Sequence, residues 1–560
     1  MTNEQIADNF SLLAKIMDIH GDNAFKSRSY SNAAYQINQL NVPLSSLSTE
    51  EVDRLKGIGD AIGKKIREQL ISGELSLLKE YLNKTPAGII EMLSIKGLGP
   101  KKIATIWKEL EIETMGELLY ACNENRLTLY KGFGEKTQKN IKEAIEFYLQ
   151  HQGLFLYAEL EGWTTHFLQQ FNTLFPADSI LPAGAWKRQL EIIPFLNFIS
   201  SLPSKILLQQ LTDWAFTIES ATTDTIQAIS REGIKVHMIS TEPEQIFRRQ
   251  FELSADLEFI AAWNELIGWP EKAKYQSEED IFKQAGVHFI PAPLRENKTI
   301  IEKARKQPLP DAIRMEDIRG IIHSHSQWSD GSDTIEEMAR AARKKGLEYL
   351  VISDHSRSAF YANGLSIEKI LAQHREIEQL NAALAPFTIF KSIESDILSD
   401  GSLDYPPELL SQFDLVIASI HSNLKMPIEK SMHRLLTAVQ NPYTTILGHP
   451  TGRLLLSRNG YPVDHEALLT ACAQYKVVVE LNAHPRRLDI DWRWIERARE
   501  LGVLISINPD AHTISGMNDI KYGVMVAQKA GISAEANLSS FNLTQMKEFI
   551  RRQKSKQNEQ

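Results

Sequence analysis

In the second half of the chain, short apolar runs repeatedly end in histidines and carboxylates. Ile321-Ile322-His323-Ser324-His325 sets two imidazoles one residue apart at the end of such a run, followed by Ser329-Asp330-Gly331. In an extended backbone side chains i and i+2 share a face, so His323 and His325 are expected to reach one pocket. Later runs end in Asp354-His355, Glu394-Ser395-Asp396, His421, His449-Pro450, Glu480-Leu481-Asn482 and Asp510-Ala511-His512. A single His-x-His pair would mean little, because an isolated histidine is usually just a hydrogen-bonded part of a core. Seven consecutive apolar segments with such endings point to a metal centre. Imidazole mixed with carboxylate suits zinc, manganese or iron, and these groups exceed what one catalytic zinc needs. Two or three divalent ions are expected, with phosphoester hydrolysis as their chemistry.

The elements that must position these groups alternate. Helical patterns over 335–345 and 492–501 separate the apolar runs, so a strand-helix repeat with a parallel, barrel-like sheet is predicted. The candidate ligands then fall at the C-terminal ends of the strands, where such barrels carry their sites.

The series His323-x-His325, Ser329-Asp330-Gly331, Asp354-His355-Ser356, Glu394-x-Asp396, His421-Ser422, Gly448-His449-Pro450 and Asp510-Ala511-His512 resembles the PHP (polymerase and histidinol phosphatase) domain. Its flanking text, 397–406 and His449-Pro450-Thr451-Gly452-Arg453, is similar to the version at the C-terminus of bacterial X-family DNA polymerases. The resemblance implies a distorted seven-stranded barrel over 317–535 with up to three metals. His323, His325, Glu394 and Asp510 would hold one, Glu394, His421 and His449 a second, and Asp330, His355 and His512 a third. Arg357 and Arg453, near strand ends, are expected to clamp phosphate, which a planar guanidinium matches. The family usually has Asp two residues before the first His, where this chain has Ile321. If that Asp orients a ligand, its loss is expected to weaken metal binding.

Three glycine turns form the second signal. Gly57-Ile58-Gly59, Gly97-Leu98-Gly99 and Gly132-Phe133-Gly134 each lie between helical stretches, with Lys56, Lys64 and Lys65, then Lys101 and Lys102, then Lys136 beside them. Glycines let backbone N–H groups at a helix start approach an anion, so a nucleic-acid phosphate is the expected ligand, gripped without sequence readout. The turns resemble helix-hairpin-helix motifs, ordered as in the N-terminal (1–85) and fingers (86–150) domains of X-family polymerases. In that family a lysine of the first hairpin helix serves deoxyribose phosphate lyase chemistry; Lys65 stands at the matching position, with a plain phosphate contact as the simpler reading.

The same resemblance makes 151–300 an α+β nucleotidyltransferase-like palm and thumb. The family's Gly-Ser motif is here Gly184-Ala185, its Asp-x-Asp pair falls on Phe195 and Asn197, and Asp256 is read as the third acid. The segment 267–272 lacks the Thr-Gly-Ser turn expected near a nucleotide. Phenyl and amide groups cannot hold magnesium against a triphosphate, so neither magnesium nor polymerisation is expected in the palm.

Composition bounds the remainder. The 560 residues are 43% apolar and 24% charged, which suits a soluble multidomain protein. Two cysteines give no disulfide framework, and neither a signal sequence nor a membrane span is evident, so a cytoplasmic protein is expected. A net charge of −9 leaves DNA contact to local patches. The expected function is a metal-dependent DNA phosphodiesterase, a 3'-5' exonuclease or abasic-site endonuclease in DNA repair, on single-stranded, gapped or abasic DNA. The alternatives are an active gap-filling polymerase, a small-molecule phosphatase and a non-catalytic DNA-binding scaffold.

Overall fold

The protein is described here by a computed structural model covering residues 1–557, apart from 56, 124–125, 151–152, 176–179, 271–272 and 457–458. Lys56 of the first glycine turn, and Glu271 and Lys272 of the segment 267–272, lie outside the described residues. The chain divides into two compact units, Met1–Gln152 and Gly153–Gln560.

The first unit is helical. Asn3–His20 opens with a capping box at Thr2 and stops at Gly21, which takes a left-handed backbone. Its apolar stripe, Phe10, Leu13 and Met17, joins Tyr30, Ala33 and Ile37 of Ala24–Asn38 in one core. Each glycine turn buries its middle residue, Ile58, Leu98 or Phe133, and leads directly into a helix: Asp60–Ser72, Pro100–Lys108 and Glu135–Gln150. Ile62 and Ile66 extend the first core, while Ile103, Ile106, Ile141 and Ile145 build a second.

In the second unit a short antiparallel ribbon, β1 (Phe155–Leu156) with β3 (Ile192–Ile193), flanks a five-stranded sheet. That sheet contains β2 (Ile180–Ala183), β4 (Leu196–Ser200), β5 (Thr217–Ala221), β6 (Thr225–Ile229) and β7 (Lys235–Ser240), in the order β2-β4-β7-β6-β5. Only β4 and β7 pair in parallel.

The rest is a parallel barrel of β8 (Gly320–Ser324), β9 (Tyr349–Ile352), β10 (Thr388–Asp396), β11 (Leu415–Ser419), β12 (Ile446–Leu447), β13 (Val478–Asn482) and β14 (Ile505–Asn508), hydrogen-bonded in chain order. Closure comes where the chain beyond β14 returns to β8, through a bridge between Ser324 and Ala511 and a 2.8 Å bond from His325 N–H to the Ala511 carbonyl. The two-residue period sorts the strands. Ile322, Tyr349, Val351, Phe390, Leu415, Ile417, Ile446 and Val478 form one apolar cluster with Leu538, Met546 and Ile550 of the C-terminal segment. Alternate residues, Ile321, Leu350, Ile352, Val416, Leu447 and Val479, pack with the surrounding helices. Helix Ile335–Lys344 shows how: Ile335, Met338, Ala339 and Ala342 are its buried stripe. The polar strand ends therefore converge on one end of an otherwise apolar barrel.

Candidate metal centre and palm cleft

The nine expected ligands gather at that end. Ligating atoms of His325, Asp330, His355 and His512 lie within 4.8 Å of one another, as do those of His323, His325 and Asp510, and those of His355, Glu394 and His421. Glu394 is the hub. Its Oε1 is 3.3 Å from His323 Nε2, 3.2 Å from His421 Nε2 and 3.0 Å from His449 Nε2, and its Oε2 is 2.9 Å from His355 Nδ1. Asp330 Oδ2 lies 3.6 Å from His355 Nε2 and 3.4 Å from His512 Nε2. His325 Nδ1 and His449 Nδ1 are buried and make no hydrogen bond. Buried polar atoms are nearly always bonded, so imidazole and carboxylate atoms aimed together in this way fit divalent ions.

His323 and His325 do converge, with ring centroids 5.2 Å apart, but not through an extended strand. His323 has φ +62°, and the β8–β9 register breaks between Ile321 and Ser324. Asp510 is also left-handed, at φ +54°. For a side chain with a Cβ each such conformation costs about 1 to 2 kcal/mol, which the dense surroundings must hold in place.

A supporting layer explains how. Glu480, wholly buried, places Oε1 2.5 Å from His323 Nδ1, accepts Asn508 Nδ2–H at 2.7 Å, and takes the His449 N–H on Oε2 at 2.6 Å. Asp396 lies 2.5 Å from His421 Nδ1, and Asn482 donates to Asp510 at 3.1 Å. Asp354 accepts from Ser326 N–H, Ser326 Oγ, Ser329 Oγ and Gln373, fixing the loop that carries Asp330. Asp396 and Asp354 belong to the sequence motifs, and their geometry here is that of orienting groups rather than cluster members. Glu480 also changes the meaning of Ile321. The Ile321 side chain packs with the outer helical layer, and the carboxylate on His323 comes from β13 instead.

Charge alternates through the cluster. Burial alone would depress His323, but the carboxylates of Glu480, Asp510 and Glu394 outweigh it and hold the imidazole well above its ordinary 6.5. His421, desolvated yet beside Glu394 and Asp396, is pushed up to about 10, and His512, buried but bonded to Asp330, up to about 9. Burial and the neighbouring His512 and His355 push His325 down to about 3. Glu394 and Asp510, against the pull of burial, sit well below the carboxylate range because histidines surround them.

The two predicted phosphate clamps differ. Arg357 reaches Asp404 at 3.2 Å, and its side chain is 54% exposed. Arg453 is no free clamp: its side chain is 16% exposed, pairs with Asp491 at 2.6 Å and donates to the carbonyls of Arg487 and Leu488. It braces the loop after β13. Among the described residues Arg487 brings a cation to the cluster, with its Nε 3.5 Å from Asp510 Oδ2. The sequence carried its signal in Pro485-Arg486-Arg487, directly after a ligand-rich strand end.

At the glycine turns, Gly57, Gly97 and Gly132 are left-handed, and Gly59 and Gly99 are the N-cap residues of the helices that follow. Gly134 immediately precedes Glu135–Gln150, with open space around its Cβ position. Lys64, Lys101 and Lys136 are exposed, Lys65 is half-buried, and Lys102 Nζ donates to the Gly97 carbonyl at 3.1 Å.

In the palm, β4 and β7 lie parallel with Asn197 opposite His237. The Phe195 ring stacks on His237, centroids 4.1 Å apart. The residue beside the Phe195/Asn197 pair is thus His237. Asp256, read from sequence as the third acid, lies off the sheet as the N-cap of helix Leu257–Leu266 and pairs with Arg188 at 2.9 Å. That reading fails because an acid set between the end of helix Ile246–Leu253 and the start of the next caps the second helix and is no part of the sheet. Glu219, an exposed residue of β5, is an acid whose charge reaches His237. The segment against Gly184 is the end of helix Ile246–Leu253, where Ser254 Oγ accepts the Gly184 N–H at 3.2 Å. Arg188 is held by Glu296, which also pairs with Lys529 from the barrel.

Three domain families match the chain: a helix-hairpin-helix domain over residues 1–75, a SAM-like helix-hairpin-helix tandem over 89–146 and a PHP domain over 322–513. A probable phosphatase of Thermoanaerobacter sp. (strain X514) is 30% identical across 42% of this chain and 95% of its own length. One from Aeromonas hydrophila is 23% identical across 39% and 87%. The DNA polymerase/3'-5' exonuclease PolX of Bacillus subtilis is 31% identical across 96% of this chain and 98% of its own, and on this nearly end-to-end match the chain belongs to the PolX family.

Proposed function

We propose that this protein is a metal-dependent DNA phosphodiesterase of the cytoplasm, acting as a 3'-5' exonuclease in DNA repair, with a palm that positions DNA and does not polymerise. It is an enzyme of the PHP phosphoesterase type, and the observation that carries the reading is the convergence of nine imidazole and carboxylate ligands on Glu394 and its neighbours. His323, His325, Glu394 and Asp510 would hold one ion, Glu394, His421 and His449 a second, and Asp330, His355 and His512 a third. Manganese and zinc suit these donors, as does iron. When bound, such ions supply positive charge to the phosphate oxygens and acidify the attacking water.

The chain's own groups do the rest. Glu480 and Asp396 fix which nitrogens of His323 and His421 face inward. Arg487 and the exposed part of Arg357 draw the phosphodiester toward the cluster. The hairpins hold the backbone of single-stranded, gapped or abasic DNA without reading its sequence. Abasic-site cleavage falls within the same chemistry, and Lys65 contributes a phosphate contact, with lyase chemistry as its further option. Polymerase loss is supported by Phe195, Asn197 and His237, which offer no anionic oxygen where adjacent strands face the cleft.

A second reading, phosphomonoester hydrolysis, draws on the likeness of the barrel to the probable phosphatases. The deciding experiment strips metal with a chelator, restores manganese or zinc, and offers a 5'-labelled single strand beside a sugar phosphate. Shortened strands only after metal return support the nuclease. Phosphate release from the monoester with intact DNA would support the second reading.

A further inference from the structure

The loop that leaves the cluster at His355 carries a side chain that none of the ligands requires. Phe360 is 89% exposed, more than any other large apolar side chain among the described residues. A lone apolar residue on a surface normally calls for no explanation. Here the frame beneath it does. The two ends of the loop are bridged, Ser356 to Leu365, and Leu365 N–H donates to the His355 carbonyl at 2.9 Å. Asp404 accepts Ser358 N–H and Ser358 Oγ, each at 2.7 Å, and Tyr405 Oη donates to the Leu365 carbonyl. A Cβ added at Gly364 would stand 1.9 Å from the Ser356 carbonyl, so the two sides of the loop pack with no room for a side chain. Asn363 reaches the carbonyls of Trp328 and Ser329, joining the loop to the segment that bears Asp330. Phe360 is therefore held out in solvent at the tip of a braced loop, whose root is a cluster residue and which also carries the half-exposed Arg357.

We propose that Phe360 is the stacking platform for an unpaired base near the 3' end of a DNA strand whose phosphate is engaged at the cluster, with Arg357 meeting the backbone between them. The inference rests on the nuclease reading above and assigns the side chain that meets the base. Phe360 follows His355 in the chain closely enough that the two Cα atoms lie within about 17 Å, a span of a few nucleotides. Aromatic faces bind bases without regard to sequence, and a paired, stacked base must first be freed to reach one. Charge complementarity selects the occupant: the loop that carries the ring also carries the half-exposed Arg357 guanidinium, held by Asp404 over the Tyr405 ring, just as a nucleotide strand carries phosphates along with its bases.

The test uses full-length protein and a single strand with 2-aminopurine at one of its last three positions. Binding is read by fluorescence with the Asp510→Ala protein, which requires no turnover, and by the KM of the protein with native Asp510. Quenching at one position is expected, lost in Phe360→Ala and retained in Phe360→Trp. The KM for single strands should rise roughly 5- to 100-fold in Phe360→Ala, with the preference for unpaired over duplex ends falling by the same factor. Melting curves establish that the variants fold. Quenching and KM unchanged in a folded Phe360→Ala protein overturn the proposal. Failure of native protein to shorten DNA with any metal would overturn the nuclease reading instead, and the fluorescence arm would still decide the role of Phe360.

Discussion

In both the barrel and the palm, adjacent parallel strands bring side chains together at one end of the sheet, and they do so with opposite chemistry. At the barrel end Glu394, His421, His449 and Asp510 sit within 4 Å of a partner in the cluster and are braced from behind by Glu480, Asp396 and Asn482. Where β4 begins beside β7 the corresponding contact is the phenyl ring of Phe195, just before the strand, stacked on the His237 imidazole beside the Asn197 amide. The scaffolds are equally complete: the palm keeps its five strands, its apolar core and the contact between Gly184 and Ser254. The palm without catalytic acids proposed above is compatible with an intact sheet, because apolar burial holds the sheet while the polar residues at its end contribute little to it.

The comparison is easiest to break at the hub. Glu394→Ala, which removes a carboxylate facing five histidines, is expected to abolish strand shortening, whereas Phe195→Ala in the palm should leave the rate unchanged; timed gels of both variants measure this. One layer further out, Glu480→Gln keeps the shape and removes the charge that orients His323. A loss of about 10- to 100-fold in metal affinity or rate is expected, read by metal titration.

Ile321 sharpens the same contrast. Restoring the family's acid with Ile321→Asp should not strengthen metal binding, because that side chain packs with the outer helical layer. A carboxylate there lacks partners, and denaturant unfolding should show a loss of at least about 3 kcal/mol. Tighter metal binding in this variant would mean that Glu480 is not the orienting group.

Much of this is legible in the sequence. The strand-end pattern marks eight of the nine cluster residues, since a two-residue period ending in His, Asp or Glu is unusual for a purely structural barrel; Asp330, in the turn after β8, comes from the family resemblance. Position along the chain also locates the three hairpins. What escapes is non-local. That Ile321 and His323 face opposite ways depends on the left-handed backbone at His323, and that His237 rather than Asp256 faces Asn197 depends on the β4–β7 pairing. Arg453 and Arg487 are alike in sequence and separated only by what surrounds them, Asp491 and two carbonyls for one, Asp510 for the other.

The smallest expected effect concerns pH. Ions bind neutral imidazole, and His421 and His512, raised to about 10 and about 9, carry protons at pH 7. Metal uptake should therefore release protons, and affinity should rise as pH increases from 7 toward 9. Proton release in weak buffer during manganese titration checks the sign.

The most direct test of the central claim places both clefts in one tube: 5'-labelled gapped DNA with manganese, with and without the four deoxynucleoside triphosphates, beside the Asp510→Ala protein. The account predicts a ladder of shortened products that is indifferent to the triphosphates and absent in the variant. A primer lengthened by the triphosphates, or a ladder that survives Asp510→Ala, would contradict it.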